Sequence, residues 1–163
     1  MNTDEPRWLD DEEQQTWLAM VSMLVRFPAA LDAQLQRDAN ISHFEYQVLA
    51  GLSMAPECTL RMSDLADFAE ASLSRLSHTA KRLEGKGWIT RTPDPTDGRF
   101  TLATLTDAGL DKVTATAPGH VAEVRRLLID SLTKAQSKQL REISRRVNDA
   151  MGPRPDYPSV RTA

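Results

Sequence analysis

Between residues 72 and 87 the chain reads SLSRLSHTAKRLEGKG, a run that mixes short hydroxyl side chains with cations. Ser74, Arg75, Ser77, His78, Thr79, Lys81 and Arg82 place small donors and acceptors beside positive charge, and the short side chains leave room for a close approach. Such a surface suits base edges and phosphates in a major groove. A helix that only covers a core usually shows Glu/Lys pairs to water instead. A Ser-rich solvated face is the bland alternative for any one of these residues. Further along, DPTDGR (94–99) sets Arg99 near the tip of a turn, where it could reach a minor groove or a phosphate. Asp97 is close enough in sequence to pair with Arg99 and, with Gly98, to hold the turn; its charge left free would repel DNA.

Other chemistry is poorly served. His43, His78 and His120 share no ligand spacing with carboxylates or with the single cysteine, Cys58, so no metal is expected. There is no GxSxG elbow, no phosphate-cradling glycine loop and no nucleophile–base pair, so neither an enzyme nor a cofactor is expected. Cys58 has Arg61 as its nearest cation in sequence and is read as a structural residue, since a reactive thiolate needs an accessible, electropositive setting.

The elements that must position these residues follow from periodicity. Leu73, Leu76, Ala80 and Leu83 form a narrow apolar stripe on the polar helix, which Gly85 or Gly87 closes. Trp88–Thr92 and Phe100–Leu105 flank the Pro93–Gly98 turn as a two-stranded hairpin projecting beside that helix. Upstream, Ser42 and Glu45 form a capping box for HFEYQVLAGLSM, and Ser63 is placed as the cap of DLADFAE. Trp17, Met20, Val21, Leu24, Phe27, Leu31 and Leu35 mark one amphipathic helix from Asp11 to Arg37, with a kink expected at Pro28. Thr106 and Asp107 cap a helix expected to break near Pro118-Gly119, and Thr133 starts the last, with Leu140, Ile143, Val147 and Met151 at helical spacing. The chain thus divides into a flexible start (1–10), a long helix (11–37), a helix–hairpin lobe (38–106), C-terminal helices (107–151) and a disordered proline-rich tail (152–163). It is mainly α, with a small β-wing.

With 40% hydrophobic residues in 163, the chain can bury a real core. No run approaches the ~20 apolar residues of a membrane span, and the acidic start is unlike a targeting peptide, so a cytoplasmic protein without membrane contact is expected. The net charge of −3 is unevenly spread: residues 1–70 hold 13 acidic and 4 basic side chains, residues 71–104 hold 3 and 6. Binding to a polyanion depends on the contacting face more than on the total, so the acidic balance does not exclude DNA. A winged helix that binds protein through the same surface is the alternative from a different class.

In order, the capped helix, the RMSDLA helix, SLSRLSHTAKRLEGKGWITR, the DGR turn and LATLTDAG closely resemble the MarR family of bacterial transcriptional regulators, over about residues 11–150. The resemblance implies a winged helix-turn-helix with a recognition helix at 72–84 and a wing at 88–105. It makes Ser72, Ser74, Arg75, Ser77, His78, Lys81 and Arg82 candidate DNA contacts along with Arg99, and Arg61 and Arg91 weaker phosphate contacts. It also implies a homodimer joined through the terminal helices, set on a pseudo-palindromic operator in double-stranded DNA. A first helix of this length cannot hide its apolar face against so small a lobe, which points independently to a partner chain. Relatives release DNA on binding small anionic or phenolic molecules, so a ligand-released repressor is expected. Trp17, Met20, Met23, His43, Tyr46 and Met54 either line such a crevice, where the first two helices meet, or are core and interface packing.

Overall fold

A computed structural model describes residues 6–152; the tail beyond, and residues 1–5 of the expected flexible start, lie outside the described residues. Helix α1 runs Asp11–Ala39, two residues past the expected end. It opens on a capping box in which the Asp10 carboxylate accepts from the Glu13 N–H at 2.9 Å and Glu13 accepts from the Asp10 N–H at 3.1 Å. Its first turn holds Asp11, Glu12 and Glu13, favourable at the positive end of the helix dipole. It closes at Asn40 in the left-handed conformation, φ 52°. Pro28 lies inside without ending it. Only Leu31, Gln34 and Leu35, all near its C-terminal end, are buried.

Helix α2 (His43–Met54) carries the expected Ser42/Glu45 capping box. Strand β1 (Thr59–Arg61), too short to show a periodicity, was not foreseen. It moves the start of α3 (Met62–Phe68) ahead of the expected cap: Arg61 is extended as the last strand residue and becomes the N-cap, while Ser63 sits within the helix, its hydroxyl donating to the Asp64 carboxylate. Helix α4 (Leu73–Gly85) is capped by Ser72, whose Oγ accepts from the Arg75 N–H, and Gly87 at φ 73° supplies the left-handed turn beyond it. Strands β2 (Ile89–Pro93) and β3 (Thr101–Leu105) form the hairpin, each starting one residue later than expected; β1 pairs antiparallel on the other side of β3. The registers include Arg91↔Ala103 and Arg61↔Leu102.

Val48, Leu49 and Leu52 of α2 meet Met62 and Leu65 of α3, Leu76, Ala80 and Leu83 of α4, and Ile89, Ala103 and Leu105 of the sheet in one core. The buried stripe of α4 is 76-79-80-83, which corrects the sequence reading twice. Thr79, expected on the polar surface, is 3% exposed, and Leu73, expected in the stripe, is 53% exposed because the first turn lies beyond the core.

Helix α5 (Asp107–Val124) runs unbroken through Pro118-Gly119, contrary to expectation. Its packing on α1, with Val113 and Thr116 buried and the Lys112 ammonium donating to the Ala39 carbonyl at 2.7 Å, outweighs the loss of one backbone donor. The irregularity comes later, where Arg125–Ile129 widens into a π turn. The Thr106–Gly109 start of α5 is tied to the hairpin: Thr106 Oγ1 accepts from the Gly109 N–H and donates to the Gly87 carbonyl. A Cβ at Gly109 would collide with the Trp88 carbonyl, so the turn requires glycine there.

Helix α6 (Lys134–Ala150), boxed by Thr133 and Gln136, buries none of its residues. Trp17, Leu18, Leu24 and Val25 of α1, Val121 of α5, and Ile143 and Val147 of α6 are all exposed. The apolar stretch of α1 is in fact long enough, by length and composition, to cross a membrane, which the sequence reading denied. It contains Arg26, and the end of the helix packs into the lobe through Leu31 and Leu35.

Candidate nucleic-acid interface

The stripe of α4 turns one face into the core and leaves Ser74, Arg75, His78, Lys81 and Arg82 exposed, with Ser77 half-buried. Ser74, Ser77, His78 and Lys81 make no hydrogen bond or ion pair among the described residues. Ser72 is occupied as the N-cap. The remaining cations are held by the lobe. The Arg75 guanidinium lies over the Phe44 ring, 4.1 Å from its centroid. Arg82 Nε and Lys86 Nζ each stand 3.5 Å from Glu45 Oε1, a loose contact at the base of α2. Burial alone would raise the Glu45 pKa; the Ser42 N–H, Lys86 and Arg82 together bring it below the ordinary value.

The wing is pinned more tightly. Arg91 pairs with Glu84 at 2.7 Å and its own N–H donates to the same carboxylate, tying β2 to the end of α4. These bonds from Arg91 lower the Glu84 pKa despite an opposing desolvation. At the tip, Arg99 is 85% exposed and forms a two-pronged contact with Asp97, at 2.7 and 3.0 Å. The Arg99 N–H also donates to Asp97 Oδ1, so Asp97 holds both the side chain and the backbone of the turn, as its place beside Gly98 predicted. Arg99's side-chain bond is the main cause that pulls the Asp97 pKa down. At the start of the wing loop, Arg61 meets Asp94 at 2.7 Å. Arg61, Arg91, Arg82 and Arg99 therefore all begin with an internal carboxylate partner; that of Arg99 is local, while those of Arg61 and Arg82 lie on distant segments that periodicity could not reveal.

The six residues suggested for a ligand crevice do not share one. Trp17 and Met20 lie on a shallow groove with Leu9, and Met23 lies on another with Phe27 and Leu127. Met54 ends α2, about 16 Å along the helix from His43 at 1.5 Å per residue. Tyr46 is buried beside Leu35 and Ile41, and its ring stands 4.6 Å from that of His120. His43 also approaches His120, at 5.9 Å between centroids, so two histidines 77 positions apart in sequence become neighbours. Burial lowers the pKa of both, Asp32 partly opposing this at His43 and the His43 ring adding to it at His120. Of the six, His43 faces a depression of about 640 Å³ between α1, α2 and α4, with Asp32, Arg75, His78 and Arg82 around it. Among the described residues no group of His, Cys, Asp and Glu is arranged to hold a metal ion. Cys58 is half-buried against the lobe core.

A three-helix lobe with a solvent-facing polar helix and an arginine-tipped hairpin defines a winged helix-turn-helix protein. A MarR family profile matches residues 41–101. The chain is 44% identical to Sco3205 of Streptomyces coelicolor, a MarR family transcriptional regulator crystallised in complex with DNA. That match covers 98% of this chain and all of that one, with a TM-score of 0.88. AbsC, a MarR family transcriptional regulator of the same organism, is 33% identical, covers 90% of this chain and 98% of its own, and has a TM-score of 0.85. YdcH of Bacillus subtilis, an uncharacterised HTH-type transcriptional regulator, is 32% identical over 81 residues, and the chain spans 55% of its length. The chain belongs to the MarR family of transcriptional regulators; its relatives are regulators, not enzymes.

Proposed function

We propose that two copies of this chain form a homodimer that sits on a pseudo-palindromic operator in double-stranded DNA in the bacterial cytoplasm and represses transcription until a small ligand releases it. The observation that carries the reading is the unpartnered Ser74, Ser77, His78 and Lys81 face of α4, flanked by the exposed Arg99, in a chain whose relative Sco3205 was crystallised with DNA. Small hydroxyls, an imidazole and Arg75 can approach base edges, while Lys81 and Arg82 serve the phosphates around them. Arg99 enters the adjacent minor groove or meets its phosphates, and Arg91 is a weaker phosphate contact. The dimer is supported by α6, a 17-residue helix that buries nothing in the single chain.

Release by a ligand finds its support in the depression between α1, α2 and α4. His43, Arg75, His78 and Arg82 would attract an anionic or phenolic molecule, and its walls join the dimer helix to the reading helix.

Selection of bound duplexes from a random pool, followed by fluorescence anisotropy over a salt series, tests the core of the reading. The expected result is an inverted repeat with half-sites roughly 10 bp apart, bound with a steep salt slope. Recovery of no preferred sequence would overturn it. Addition of salicylate-like acids is expected to weaken the operator complex and change tryptophan fluorescence; no effect of any such acid would remove the ligand from the account.

A further inference from the structure

Arg61 makes a set of contacts unlike that of an arginine waiting for a phosphate. It ends β1, caps α3, and sits outside the wing in sequence, yet its side chain reaches both ends of the wing loop. Its Nε and Nη2 donate to Asp94 Oδ2 at 2.9 and 2.7 Å, and its Cζ lies 4.4 Å above the centroid of the Phe100 ring. Asp94 is where the chain leaves β2 and Phe100 is where it turns back into β3; the two are also joined by the Asp94 N–H donating to the Phe100 carbonyl at 2.9 Å. Arg99 is the residue just before Phe100.

Asp94 itself is 6% exposed, unusual for a carboxylate in a projecting loop. Its Oδ1 accepts from the Thr96 N–H at 2.8 Å and the Thr96 hydroxyl at 2.6 Å, so Arg61 takes the oxygen that Thr96 leaves. The bonds from Thr96, with those from Arg61, hold its pKa at about 2, so it is charged at every physiological pH. An Arg61 drawn away to a phosphate would strand that charge, which is costly for a buried carboxylate.

We propose that Arg61 is the positioning residue of the wing: by bridging Asp94 and Phe100 it sets where Arg99 stands relative to α4, and it acts on DNA through Arg99 instead of touching a phosphate. The inference rests on the reading that the wing contacts DNA. It makes a prediction opposite in sign to simple electrostatics. Asp94→Asn removes a negative charge beside a polyanion, which by charge alone would tighten binding; loss of the bridge weakens it.

The test measures operator affinity for the wild type, Arg61→Gln, Arg61→Lys, Asp94→Asn, the double Arg61→Gln/Asp94→Asn, and Arg61→Gln placed in Arg99→Ala. It adds amide exchange of residues 95–100, with melting temperature confirming that each variant folds. Arg61→Gln and Asp94→Asn are each expected to weaken binding about tenfold, with the double no worse than either. Arg61→Lys, which keeps the charge but loses the forked contact, behaves like Gln. In Arg99→Ala, Arg61→Gln has no further effect. Wing amides exchange faster in Arg61→Gln, while those of Leu76 and Leu83 do not.

Tighter or unchanged binding by Asp94→Asn, wild-type behaviour of Arg61→Lys, or a full extra loss in the Arg99→Ala background would overturn the proposal in favour of a direct phosphate contact. Unchanged wing exchange would overturn it as well. A wild type without sequence preference would count against the operator reading alone, since the exchange measurement reads the bridge without DNA.

Discussion

The winged lobe and the terminal helices are built to different degrees of completion. In the lobe, residues from α2, α3, α4, the sheet and the start of α5 close a core in which Val48, Leu49, Leu52, Leu65, Leu76 and Leu83 are fully buried, and each wing arginine has a carboxylate partner. In the terminal region α6 buries nothing, and Trp17, Leu24 and Val25 of α1 face outward. The lobe is finished by its own chain. The terminal helices leave that apolar surface exposed in the single chain, which is what the proposed dimer would cover. In the proposed dimer, the spacing between two such lobes would be set by the stalk of terminal helices and not by the lobes themselves.

The largest break in this contrast comes from charging the stalk. Ile143→Asp with Val147→Asp on α6 should yield monomers in sedimentation and lower operator affinity about a hundredfold or more, because the second half-site loses its tether. Lobe amide protection should persist. The same pair of substitutions leaving a dimer intact would mean that α6 is not part of the joint.

In the lobe, a single truncation acts through the core instead. Leu49→Ala is expected to cost about 2–5 kcal/mol in urea unfolding, the range for a leucine emptied from a packed interior. The stalk variant should shift the concentration dependence of unfolding; Leu49→Ala should shift its midpoint at every concentration.

A smaller effect tests the tip of the wing. Arg99→Ala should weaken operator binding nearly equally across sequences and reduce the slope of log affinity against log salt by about 0.9, one phosphate's worth. Arg75 and His78 substitutions should instead alter base preference. An unchanged slope in Arg99→Ala would remove the wing from the interface. Part of the gain from Arg99 is offset by its partner, since the Asp97 contact must be loosened or shared when a phosphate arrives.

What could be read from the sequence was local. The caps at Ser42, Thr106 and Thr133 and the turn around Asp97 depend on residues within a few positions of one another, and the three caps stand where the pattern put them. What escaped was set by distant segments. Strand β1 exists because Thr59–Arg61 finds Leu102–Thr104, and that pairing displaced the cap of α3 from Ser63. Pro118 was outvoted by packing on α1. Arg61 was read from its charge and neighbours in sequence as a phosphate contact; its pairing with Asp94, 33 residues later, was not legible there. Trp17, Met20 and Met23 share α1 but line two different grooves, a separation that their sequence spacing did not show.

The mildest probe falls on the seam between the two regions, where His43 and Tyr46 of α2 meet His120 of α5. Burial lowers the pKa of both histidines from 6.5, so the unfolded chain takes up protons more readily than the folded one. Their contribution to stability is therefore complete above pH 6.5 and declines as pH falls through that value toward the lower folded-state values. Protonation would place two cations at the seam, where Asp32 offsets His43 and the two rings repel each other. The melting temperature should drop by a few degrees between pH 7.5 and 5.5, and His120→Phe, which keeps a ring against Tyr46 but cannot titrate, should flatten that slope. A slope in His120→Phe as steep as in the wild type would move the pH dependence away from the seam and onto other groups.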